Sequence, residues 1–147
     1  VRRADRLRAL REAVRVTRPG GRVVAAAISR FAGALDFAAT GRLDARTLAE
    51  ARTLLTDGTN DPRIGFTHAY FHRAEEVADE CAEAGLTGVV VHDVEGPAWT
   101  AADAAAGGPT QDAVFAAAVD LAQVYSSEPA LVGSSAHLLA AGRVPQR

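Results

Sequence analysis

Six consecutive apolar residues, Val23-Val24-Ala25-Ala26-Ala27-Ile28, follow closely on the turn sequence Arg18-Pro19-Gly20-Gly21. Proline presets the backbone at the second turn position and glycine accepts a positive φ at the third, the chemistry of a type II turn. A strand that is apolar at every residue, and not at alternate ones, is expected to be covered on both faces, as in the parallel sheets of α/β domains. Ahead of the turn, Leu7, Leu10 and Val14 recur at helical spacing between arginines and predict an amphipathic helix over 3–17.

The rest of the chain continues the alternation. Residues 31–66 read as a helical cap insertion: a short helix over 31–39, another over 45–56 opened by Asp44, then the turn-rich Asp57-Gly58-Thr59-Asn60-Asp61-Pro62. Such a segment, lacking apolar anchors, runs on the surface, which makes Arg63 the expected first tryptic site. A helix over 73–84, with Ala74, Val77, Ala78 and Cys81 on one face, stops at Gly85. Val89-Val90-Val91 marks a second strand over 87–94. Thr110 is expected to cap a helix over 111–125 whose buried stripe is Val114, Ala117, Ala118, Leu121 and Val124. A last strand near 135–141 holds Leu138 and Leu139. The expected fold is α/β, a small sheet of three strands with flanking helices.

A length of 147 residues with 48% hydrophobic and 23% charged content suits one globular domain and argues against a disordered chain. No apolar run approaches the roughly 18 residues of a spanning helix. The single cysteine excludes an internal disulfide framework and a cysteine-built zinc site. A cytoplasmic setting with no membrane partner is the expectation. Charge is uneven, with eight arginines in residues 1–22 against Asp5 and Glu12. Nucleic-acid binding by that helix is disfavoured, because it has no interleaved aromatics for stacking and no lysine; a solvated helix face is the favoured reading.

The stretch Glu12-Ala13-Val14-Arg15-Val16-Thr17-Arg18-Pro19-Gly20-Gly21-Arg22-Val23-Val24 resembles the helix, Pro-Gly-Gly turn and fifth strand of class I S-adenosylmethionine-dependent methyltransferases. The likeness continues through Ala27-Ile28-Ser29-Arg30-Phe31, Phe66-Thr67-His68-Ala69-Tyr70-Phe71-His72-Arg73-Ala74-Glu75-Glu76-Val77, Ala84-Gly85-Leu86, Val94-Glu95-Gly96-Pro97-Ala98-Trp99 and Ser135-Ala136-His137-Leu138-Leu139. Together these are similar to bacterial members of small-molecule type. The resemblance implies that residues 1–147 form a single partial domain, the C-terminal half of a Rossmann-like methyltransferase fold, with the last strand antiparallel between the other two. The family holds its cofactor with a glycine-rich turn after the first strand and an acidic residue ending the second. This sequence contains no Gly-x-Gly, and its glycine pairs, Gly20-Gly21 and Gly107-Gly108, follow a helix and precede one. The resemblance thus implies S-adenosylmethionine for the full-length family and no cofactor binding by this chain alone.

In a doubly wound sheet, ligands gather beyond the carboxyl ends of the parallel strands. That singles out Ser29, Arg30 and Phe31 after the first strand, Glu95 and Trp99 after the second, and His68 and Tyr70 on the return from the insertion. These are the candidate contacts to a small-molecule acceptor. His68 or Tyr70 could act as a base, against the plainer reading of Tyr70 as an anchor of the insertion. His72 is expected to cap the following helix with Glu75, and His92 and His137 to be satisfied or solvent-facing within strands. Arg30 is expected to pair with Asp36 or Glu95. Trp99 reads equally as a pocket mouth or core packing, and no His/Asp/Glu spacing suggests a metal. The expected function is methyl transfer to a small molecule as part of a longer chain, with the isolated chain inactive. The alternative is a non-catalytic α/β module that binds a protein or nucleic acid. Strand 23–28 lacks on one edge the neighbour that the family supplies, so self-association through that edge is expected.

Overall fold

The computed structural model describes residues 2–60 and 67–146. In chain order these form α1 (Arg3–Val16), β1 (Arg22–Ser29), α2 (Ala32–Ala39), α3 (Ala45–Asp57), β2 (Phe71–His72), α4 (Ala74–Glu83), β3 (Thr87–Asp93), α5 (Trp99–Ala105), α6 (Gln111–Tyr125), a single 3-10 turn (Val132–Ser134) and β4 (His137–Arg143). The turn between α1 and β1 needs its glycines. Gly20 has φ 75°, and a Cβ on Gly21 would fall 2.6 Å from Thr17 Cγ2. Helix α3 opens as expected, with Asp44 Oδ1 accepting from the backbone of Arg46 and Thr47, both at 2.9 Å.

The sheet has four strands, not the expected three, in the order β2-β1-β4-β3. β4 runs antiparallel between β1 and β3. The additional strand, β2, lies parallel to β1 and pairs Phe71 with Ile28 and His72 with Ser29. Arg30 secures it: its backbone N–H donates to His72 O at 2.8 Å and its Nε to Phe71 O at 3.2 Å.

β1 is not covered on both faces. Val23, Ala25 and Ala27 join Leu138, Ala140, Val89 and Val91 in the core, against Leu10, Ala13 and Val14 of α1 and Val77 and Cys81 of α4. The alternate residues point to the other side, where Val24 is 54% exposed and Val90 46%. The register aligns Val24, Ala141 and Val90 across three strands, so this bare face is apolar. The arginines of α1 are largely engaged: Arg6 Nη2 meets Glu80 at 2.5 Å, and Arg3 and Arg11 reach Glu83 at 2.6 and 3.3 Å. Arg6 is thus drawn into an ionic contact with α4, whereas Arg3, Arg8, Arg11 and Arg15 stay more than half exposed, in line with the solvated face.

Further local expectations change. His72 belongs to β2, and the N-cap position of α4 is Arg73, whose N–H donates to Glu76 Oε2 at 3.0 Å. Thr110 makes no side-chain cap bond. On α6 Ala118 is buried, but Ala117 and Val124 are exposed. Helix α5 was not foreseen. Residues 61–66 of the expected insertion, Arg63 included, lie outside the described residues. Among the described residues, no helix is long and apolar enough to cross a membrane.

Candidate functional site

Because β4 runs against its neighbours, its first residue arrives where β1 and β3 end. There His137 meets Glu95, two residues past the end of β3. His137 Nδ1 lies 2.5 Å from Glu95 Oε1, and the His137 backbone N–H donates to Glu95 Oε2 at 2.9 Å. The fully buried Ser135 completes the arrangement, donating to Glu95 Oε2 at 2.6 Å and accepting from the Glu95 N–H at 3.0 Å. Burial pushes the Glu95 carboxyl up, but the hydrogen bonds from Ser135 and His137 together outweigh it and hold the carboxyl below its ordinary range. An ionised Glu95 fixes a proton on Nδ1 and leaves Nε2 as the basic nitrogen of a half-exposed imidazole.

A cavity of about 620 Å³ adjoins this pair. Its walls include Ile28 at the end of β1, Phe37 of α2, Leu54 of α3, Phe71, Trp99 and His137. The helices of the insertion thus form one side of the cavity, and volume and lining suit a small organic molecule. Trp99 is held in place by its Nε1–H, which donates to Ser134 O at 2.9 Å. A smaller cavity, about 300 Å³, is also lined by His137 and includes His68, Tyr70 and His72.

The candidate residues therefore fall into separate groups. Trp99 and His137 line the 620 Å³ cavity, and Glu95 is hydrogen-bonded to His137. Arg30 is buried and pairs with Glu76 at 2.5 Å, not with Asp36 or Glu95; its Nη2 also donates to the Tyr70 hydroxyl at 2.8 Å. Tyr70 carries the Arg6 guanidinium 3.7 Å above its ring and meets His72 edge-on at 4.7 Å. His68 is exposed beside it. Ser29 Oγ donates to Gly133 O at 2.9 Å, bracing the loop that delivers Ser135. Phe31 packs on Gly133, where a Cβ would come within 3.2 Å of its ring.

His137, expected from the sequence to be satisfied or solvent-facing, is the residue that the fold adds to the candidate site. Glu95 lies too far from it along the chain for any local motif. The signal available was the antiparallel last strand, which sets the start of β4 beside the residue after β3.

Among the described residues, no group of three or more His, Cys, Asp or Glu side chains could hold a metal ion. Comparison with protein-family models and with curated proteins finds no match to this chain.

Proposed function

We propose that this chain is the acceptor-binding half of a class I methyltransferase acting on a small molecule. The observation that carries the reading is the antiparallel β4, which brings His137 to the carboxyl edge of the sheet, against Glu95 and beside the cavity. In this reading the cavity seats an acceptor with a hydroxyl or amine, and His137 Nε2, its tautomer set by Glu95, takes the proton that the acceptor loses. Phe37, Leu54 and Trp99 orient the acceptor and exclude water.

The chain's own residues do not fit S-adenosylmethionine. Gly20-Gly21 turns from α1 into β1 and Gly107-Gly108 precedes α6, so neither makes the strand-to-helix turn that would approach the cofactor. Methyl transfer then requires a cofactor-binding half to be supplied, and the bare apolar face at Val24 and Val90 is the surface on which its helices would pack. That same face also suits the second reading, a non-catalytic module that binds a protein there.

The test is to join the chain to the cofactor-binding half of a small-molecule methyltransferase and assay transfer of labelled methyl groups to hydroxylated aromatic acceptors. Transfer should appear in the chimera and fall about 100-fold in His137→Ala. A chimera that binds S-adenosylmethionine but methylates as fast with His137→Ala as without it contradicts the assignment.

A further inference from the structure

The acceptor cavity has a charged wall that proton removal by His137 does not use. Among the described residues, Asp36, Arg42 and Glu50 are the side chains lining it that carry a full charge. Arg42 is already taken up: its Nη2 pairs with Asp36, its Nε donates to Thr40 Oγ1 at 2.8 Å, and its guanidinium lies 5.4 Å from the centre of the Phe37 ring. With Arg42 and Asp36 matched, Glu50 is the charge left over.

The helix explains why that charge faces inward. Thr47, Glu50, Ala51 and Leu54 recur at i, i+3, i+4 and i+7 on α3. Thr47 and Ala51 are buried and Leu54 is a cavity wall, so Glu50 shares the inward stripe. Its side chain is 21% exposed, and its ion pair among the described residues is a 3.9 Å contact with Nη1 of Arg46, itself 79% exposed. That contact is too long for a hydrogen bond and too open to solvent to add much. Neither Glu50 oxygen is among the buried polar atoms without a partner, so the carboxylate is open to a bound group.

We propose that the molecule this cavity takes is an arylalkylamine, its ring among Phe37, Leu54 and Trp99 and its protonated nitrogen on Glu50. The inference rests on the reading of this cavity as the acceptor site and adds the charge of the acceptor. An ammonium supplies the hydrogen bonds that the Glu50 carboxylate lacks, whereas an anionic molecule would meet its repulsion. Aromatic and aliphatic walls select a flat apolar body over a metal ion or a polyamine.

Trp99, the sole tryptophan, lines the cavity and serves as the reporter. 2-Phenylethylamine is titrated into the chain at neutral pH, followed by tryptophan fluorescence and calorimetry, with 2-phenylethanol as the neutral counterpart and 3-phenylpropionate as the anionic one. The amine should bind about fivefold or more tighter than the alcohol, and the carboxylate most weakly. Glu50→Gln, which keeps the side-chain shape, should erase the preference for the amine while leaving alcohol binding unchanged. Trp99 also lines a second cavity, about 750 Å³, between α5 and α6, and Asp103→Asn in that cavity should change neither affinity. No binding of the amine, equal affinity for amine and alcohol, an undiminished preference in Glu50→Gln, or a matching loss in Asp103→Asn would each overturn the proposal. Because binding is read without methyl transfer, a chimera that fails to methylate removes the catalytic reading and not this one, and a missing amine preference does the reverse.

Discussion

Glu80 shows how much one side chain organises here. It is 4% exposed, Arg6 holds it with Nε and Nη2 at 3.0 and 2.5 Å, and His72 Nε2 approaches at 3.4 Å. Glu80→Ala removes the carboxylate that a nearly buried guanidinium holds with two nitrogens and is expected to cost about 2 kcal/mol in denaturant unfolding; a loss below about 1 kcal/mol would mean that water replaces the carboxylate freely. His72 adds a pH dependence. Burial, aided by the Arg6 charge, holds its imidazole below the usual 6.5, and Glu80 and Glu76 oppose this. The unfolded chain then binds a proton that the folded chain refuses, so stability falls as pH drops through about 6.5, by at most about 1.4 kcal/mol per pH unit. His72→Gln should flatten the unfolding free energy between pH 7 and 5, and an unchanged slope would place the effect elsewhere. Little of this was legible in the sequence. Arg6, His72 and Glu80 lie on different elements and Tyr70 just ahead of β2, and spacing along the chain says nothing about which of them meet.

At the scale of elements, legibility followed local information. α1, α3 and α4 were readable because their apolar spacing, Asp44 and Gly85 are local signals. β2 was not, because two residues have no periodicity and its pairing depends on Arg30 more than forty positions away. α5 was missed because Trp99–Ala105 is short and its N-cap residue, Ala98, makes no side-chain cap bond. The apolar run in β1 was readable as a strand but not as half-bare, since a face awaiting a partner and a face already covered demand the same residues. That distinction gives a paired expectation. Leu138→Ala on the packed face of β4 removes a side chain with no exposure and should cost about 3 kcal/mol in thermal or denaturant unfolding. Val24→Ala on the bare face should cost under about 0.5 kcal/mol in dilute chain. Comparable losses would mean that the second face is covered.

For the whole molecule, the bare face and the edge of β1 point the same way. Beyond Ile28 and Ser29, the β2 side of β1 carries no ladder pairing among the described residues. Unpaired strand groups beside exposed apolar side chains favour association with another chain. A cofactor-binding half would cover both, and an independent binding module would have no need of one. The deciding measurement is light scattering on the chain at tens of micromolar, alone and mixed with the cofactor-binding half of a small-molecule methyltransferase. The chain alone is expected to self-associate, and to form a one-to-one complex that binds S-adenosylmethionine once the half is added. A well-folded monomer, unchanged by the added half, would contradict it.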